Sequence, residues 1–117
     1  MKLTGVLSEY FRAVNAGDLD AIAATFADDA FVTDASREFA DTTAIRAFLA
    51  KEIVGDHVNY EVTEVRDHNG LTIVRAITTG TFDNTKLPDP LILTHYFQVR
   101  DDKITSQITI LVKASEH

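Results

Sequence analysis

The sequence predicts an α+β fold, with three N-terminal helices packed on one face of a curved, mostly antiparallel sheet. Apolar residues recur at helical spacing as far as Gly55, and beyond Gly55 the period changes to two. Asn69-Gly70, between two β-branched runs, is a strong signal for a two-residue hairpin. Helices first and antiparallel strands later place the helices over one face of the sheet.

The first helix runs from Leu3 to Ala16, with Leu3, Val6, Leu7, Tyr10, Phe11 and Val14 on one face. Gly17 is a natural stop, because a glycine just past a helix enters the left-handed region without strain. Asp18 offers a side-chain oxygen to the first amides of a second helix, carried through Leu19, Ile22, Ala23 and Phe26. Residues 30–34 read as a short strand. Asp41 caps a third helix with Ala44, Ile45, Phe48, Leu49 and Ile53, and Gly55 closes it. Residues about 58–67, 71–82, 91–100 and 103–113 read as four long strands. Asp101-Asp102 fits a tight turn between the last pair. Asp83 to Pro90, with two prolines, reads as a loop at one rim.

At 117 residues the chain is long enough for one domain, 1–117, with a single core. It has no cysteine, which rules out disulfides, thiolate chemistry and cysteine metal sites. No charged-then-apolar leader opens it, and no apolar run approaches the roughly 20 residues that span a bilayer. The expectation is a cytoplasmic protein with no membrane partner. Eleven Lys and Arg against eighteen Asp and Glu give a net charge of −7, with acids in excess on both sides of Gly55. Without clustered cations, nucleic acid is not an expected partner. No two histidines have helical ligand spacing, so no metal site is expected, and the glycines form no phosphate-cradling pattern.

Two residues stand out for chemistry. Tyr10 lies on the apolar face of the first helix, where a buried phenol needs a hydrogen-bond partner. Asp34 ends the first apolar strand. Taken alone, Tyr10 reads as a core tyrosine and Asp34 as a solvated turn residue.

The order Tyr10, Asn15-Ala16-Gly17-Asp18, Phe26-Ala27-Asp28-Asp29 and Asp34 resembles the start of the ketosteroid isomerases. That family shares its cone-shaped, cystatin-like fold with SnoaL-like polyketide cyclases and nuclear transport factor 2. The resemblance covers about the first 50 residues well and the strands by pattern only. It places Tyr10 at the family's oxyanion-donor position and Asp34 at its general-base position. In the ketosteroid isomerases an aspartate base works with an oxyanion hole made of a tyrosine and a protonated acid. The resemblance therefore implies a cofactor-free isomerase acting on a small apolar carbonyl-containing ligand. The carboxylate takes a proton beside the carbonyl, and neutral donors stabilise the enolate.

Two departures qualify the resemblance. Ala35 follows Asp34 where the family usually has proline. No aspartate stands at the second donor position, which alternation along Leu91, Leu93, His95, Phe97 and Val99 gives to His95; an alternative register gives it to Thr94. His95 then has three readings: a core histidine, a neutral donor in the oxyanion hole, or an acid/base partner of Asp34. In either pocket role, activity should change between about pH 5.5 and 7.5. Val14, Phe26, Phe31, Phe48, Phe82 and Phe97 are the expected pocket lining. The alternatives to an isomerase are a SnoaL-like cyclase, a dehydratase using an Asp–His pair, and a non-catalytic ligand-binding module. Strands 71–82 and 103–113 carry apolar residues on both alternating sets, which predicts a homodimer through the outer sheet face.

Overall fold

In the computed structural model, which describes residues 3–34, 37–83 and 85–111, helix α1 (Gly5–Ala16) buries Leu7, Tyr10, Phe11 and Val14 along one stripe. Gly17 ends it at φ +68°, and the Asp18 amide donates back to the Ala13 carbonyl at 3.0 Å. The Asp18 carboxylate accepts from the Ala21 amide at 3.1 Å and opens α2 (Leu19–Ala24). This helix is shorter than its apolar spacing predicts, because Phe26 already belongs to β1 (Phe26–Asp34). The Thr25 hydroxyl donates to the Ile22 carbonyl at 2.6 Å, and the Thr25 carbonyl accepts from the Ile104 amide at 2.8 Å. Pairing with a distant strand thus captures the chain two residues early.

The sequence pattern does not predict the short strand β2 (Arg37–Phe39). It folds back antiparallel on Val32–Asp34. Asp41 caps α3 (Thr42–Phe48), accepting from the Ala44 amide at 2.7 Å. The third helix widens after Phe48 into a π-helical turn, Leu49–Val54, in which the Gly55 amide donates to the Ala50 carbonyl at 2.9 Å. A Cβ at Gly55 would lie 2.3 Å from the Lys51 carbonyl oxygen, so only glycine permits this ending.

The remaining strands are β3 (Asn59–His68), β4 (Leu71–Thr79), β5 (Ile92–Arg100) and β6 (Lys103–Leu111). Gly80 to Phe82 leave the sheet, and the expected strand end at 112–113 lies outside the described residues. Asn69-Gly70 and Asp101-Asp102 make two-residue turns with all four φ angles positive, the handedness that suits twisted hairpins. The sheet order is β2-β1-β6-β5-β4-β3, antiparallel throughout except for β1 against β6. This is the expected α+β architecture of three helices on a curved sheet. Among the described residues no helix is long and apolar enough to cross a membrane.

One irregularity governs the site. Gln98 pairs with Ser106 but Val99 pairs with Ile104, leaving Thr105 as an extra residue in β6. Such a bulge reverses which face the later side chains take. Ile104 is fully buried, but beyond the bulge Gln107 turns inward while Ile108 and Ile110 turn out, 41% and 50% exposed. Gln107 and Thr109 therefore face the helices, and Ile108 and Ile110 face out.

Candidate active site

A cavity of about 310 Å³ opens between α1, the end of β1, the π-helical turn and the loop after β4. Its walls are mostly apolar, with Phe48, Ile53, Val58, Phe82, Leu91 and Leu93 among them. The volume is at the lower end for small-molecule pockets, which suits a compact ligand. Tyr10 and Asp34 both line it, from α1 and from the last position of β1.

The Tyr10 ring packs edge-on against Phe11, Phe26 and Phe97, with centroids 5.0, 5.9 and 5.5 Å away. Its hydroxyl oxygen accepts from Gln107 Nε2 at 3.1 Å. Burial pushes the Tyr10 phenol up to about 12; hydrogen bonding by Gln107 and the neighbouring Tyr60 works against this, and the charge of Asp34 adds to it. Burial also raises Tyr60 well above the usual phenol value, with further contributions from Tyr10 and Asp34. Both phenols therefore keep their protons at neutral pH and are available as donors.

Asp34 Oδ2 accepts from Arg37 Nη2 at 2.6 Å, the two residues being partners in the β1–β2 pair. Arg37 also donates to both carboxylate oxygens of Glu52 on the π-helical turn, at 2.6 and 2.8 Å. Its guanidinium lies 5.7 and 5.8 Å from the ring centres of Phe39 and Phe48, which are themselves stacked at 4.7 Å. The Glu52 pairing is the main cause holding Arg37 above its ordinary value, and the same pairing lowers Glu52. Asp34, Arg37 and Glu52 thus form a carboxylate–guanidinium–carboxylate bridge whose two carboxylates line the cavity.

The other expected site residues divide. Phe48 and Phe82 line the cavity. Val14 and Phe97 do not, being core residues beneath it. Phe26 packs under Tyr10 and borders a separate shallow hollow beside Arg46. Phe31 is on the opposite face of β1 from the cavity-lining Val32. His95 faces inward but lies behind the cavity wall, fully buried, with Nδ1 2.9 Å from Thr109 Oγ1. Thr94 takes the outer face, opposite Arg75 and Ile110.

The profile of the SnoaL-like domain matches residues 7–107. The chain belongs to the SnoaL-like domain family. A polyketide cyclase candidate from Sinorhizobium meliloti is 27% identical, with a TM-score of 0.81 over 92% of this chain and 95% of that one. A ketosteroid isomerase candidate from Kribbella flavida shares the fold at 17% identity and a TM-score of 0.75, over 96% of this chain and 78% of that one. So does SalBIII, an epoxide hydrolase/cyclase-like enzyme in pyran ring formation in the polyether salinomycin, at 22% identity and a TM-score of 0.74, over 92% and 88%.

Several residues around the pocket of this SnoaL-like domain escape a reading of the sequence. Tyr60, Gln107, Thr109, Glu52 and Asp56 all line the cavity. Gln107 and Thr109 are hidden by the bulge, which inverts the apparent apolar face of β6. Glu52 and Asp56 are aimed by the π-helical turn. The one available signal is Asn15, whose side chain donates to the Tyr60 carbonyl at 2.9 Å and accepts from the Tyr60 amide at 2.7 Å. It pins β3 beside the end of α1.

Full burial pushes His95 down to about 3, so the SnoaL-like domain holds it neutral, and the expected activity change near neutral pH has no source in this residue. Its titration appears in stability instead. Below about pH 6.5 the unfolded chain binds a proton that the native state refuses until about pH 3, so stability falls as pH falls, by about 1.4 kcal/mol per unit. Glu52, lowered by Arg37, acts in the same direction at lower pH. Urea denaturation between about pH 5 and 7 should show this slope in the wild type and a flatter one in His95→Gln. Equal slopes would assign the proton elsewhere.

Proposed function

We propose that this protein is a cofactor-independent enzyme that removes a proton from the carbon beside a carbonyl, with Asp34 as base and Tyr10 as hydrogen-bond donor to the carbonyl oxygen. The observation that carries the reading is the meeting of these two residues in one largely apolar cavity. Asp34 Oδ1 makes no hydrogen bond among the described residues, leaving one carboxylate oxygen for the substrate. As the C–H bond breaks, its electron pair moves into an enolate, and the carbonyl oxygen gains charge. A neutral phenol in a dry site stabilises that charge. Return of the proton to a different carbon completes an isomerisation.

Attack of the same enolate on a second carbonyl would be a cyclisation, and the likeness to a polyketide cyclase candidate supports that runner-up. A dehydratase using an Asp–His pair loses support, since His95 is neutral and behind the wall. Among the described residues the cavity is lined by Asp34, Glu52 and Asp56 and by no Lys, Arg or His, which favours neutral ligands over anions. A cytoplasmic setting fits the absence of cysteine.

One observation favours a non-catalytic binding module instead: Arg37 already occupies Asp34 Oδ2. A single experiment separates the two. The protein is incubated in deuterated buffer with a β,γ-unsaturated ketosteroid, then with simpler enolisable ketones, and both α-deuteration and conjugation are followed. Deuteration with rearrangement supports the isomerase. Binding without any exchange supports the module.

The outer sheet face should carry a second copy of the chain. Ile108 and Ile110 are exposed there together, and a twofold axis is the commonest closure. Light scattering at micromolar concentration should report a dimer that Ile110→Asp dissociates. A monomeric wild type would reject this assembly.

A further inference from the structure

Four polar side chains meet among aromatic rings at the inner wall of the cavity: Tyr10, Gln107 and Thr109 line it, and His95 lies behind them. Gln107 Nε2 lies 3.1 Å from the Tyr10 hydroxyl, 3.3 Å from His95 Nδ1 and 3.4 Å from Thr109 Oγ1. We propose that Gln107, held by His95 and Thr109, is a positioning residue that donates to the Tyr10 oxygen and so leaves the phenolic proton directed to the ligand. The proposal rests on the reading of Tyr10 as the ligand's donor.

The donor inventory of these groups makes the arrangement self-consistent. An amide nitrogen carries two hydrogens and accepts nothing, so its two nearest neighbours, the Tyr10 oxygen and His95 Nδ1, must each offer a lone pair. His95 Nδ1 is then unprotonated, and its single lone pair is shared by Gln107 Nε2 and the Thr109 hydroxyl, which lies 2.9 Å away. The neutral ring carries its hydrogen on Nε2, which has no hydrogen-bond partner among the described residues. The Tyr60 and Phe11 rings stand nearly perpendicular to the imidazole, with centroids 4.9 and 5.9 Å away. An N–H among aromatic rings can gain weakly from their π-density, whereas a lone pair there would gain nothing. Turning the Gln107 amide over would reverse every member. Oε1 would take the Tyr10 proton, and Nδ1 would have to carry hydrogen to face it. The tautomer of His95 and the direction of the bond at Tyr10 are therefore one choice.

That link supplies the test. Two-bond ¹⁵N–¹H correlations on histidine-labelled protein at neutral pH should show His95 protonated at Nε2 and bare at Nδ1. Hydrogen on Nδ1 in the wild type would overturn the proposal. Gln107→Glu introduces a carboxyl that only accepts once it ionises. Its affinity for a conjugated ketosteroid should fall about five- to tenfold as pH rises through that ionisation, the scale of one hydrogen bond. The His95 hydrogen should move to Nδ1 over the same range. Gln107→Met should keep the Nε2–H tautomer and show no such pH dependence. Asp34, Glu52, Asp56, Tyr60 and Tyr10 are common to all three proteins, so a difference belongs to position 107. Identical pH profiles for the two variants would reduce Gln107 to packing and overturn its role. Failure of the wild type to bind the steroid would count against Tyr10 as a donor, and the tautomer would still decide the proton arrangement.

Discussion

Asp34→Asn should lower turnover by at least about 100-fold, the low end for a positioned general base. The amide is nearly the same shape but has no lone pair basic enough to take a proton from carbon. Asp34 sits at the end of β1, in register with Thr109 of β6 and Arg37 of β2, so the backbone fixes its place on the cavity rim. The fold should survive the change. The lost ion pair is partly exposed, with 33% of the Asp34 side chain accessible, and pairs of that kind contribute about 0–1 kcal/mol. Arg37 also keeps both of its bonds to Glu52. Steady-state rates on the ketosteroid, with denaturation curves as a check on folding, measure both halves. Undiminished turnover would end the assignment of Asp34 as base.

Tyr10→Phe should reduce turnover by a factor similar to or smaller than that of Asp34→Asn, since removing one donor to a developing oxyanion costs on the order of 100-fold or more. The effect should fall on kcat more than on KM, because the carbonyl oxygen gains charge only as the reaction proceeds. The phenylalanine ring keeps the edge-on packing against Phe11, Phe26 and Phe97, and Gln107 keeps Thr109 and His95 as neighbours. Because burial lifts Tyr10 to about 12, its ionisation should leave no mark on a pH–rate profile below about pH 10. A loss confined to KM would assign Tyr10 to ground-state binding alone.

Much of the architecture was legible because it depends on local chemistry. Gly17, Asp18 and Asp41 punctuate the helices through left-handed φ and side-chain caps, and Asn69-Gly70 sets a hairpin by backbone sterics alone. The family likeness was legible for a related reason: the spacing from Tyr10 through the Asn-Ala-Gly-Asp turn to Asp34 is short and carried by such local elements. The errors cluster where a distant partner decides. Phe26 has the spacing of α2, but the Ile104 amide draws the chain into β1. Arg37–Phe39 is too short to show a period and becomes a strand only against Val32–Asp34.

The candidate site divides along the same line. Tyr10 and Asp34 were readable from the sequence, since each sits at a landmark of a single element. Whether His95 entered the cavity was not readable, because alternation gives the side of the sheet but not the depth behind Gln107 and Thr109. By itself, the sequence determined the α+β class, the order of the three helices and the long strands, and the family, and it singled out Tyr10 and Asp34. Only the tertiary structure decided that a bulge at Thr105 turns Gln107 inward, that a π-helical turn brings Glu52 to Arg37, and that His95 is sealed and neutral. Helix caps and tight turns are properties of a few adjacent residues. Strand phase past a bulge, and the burial of a titratable ring, depend on contacts between residues far apart in the chain.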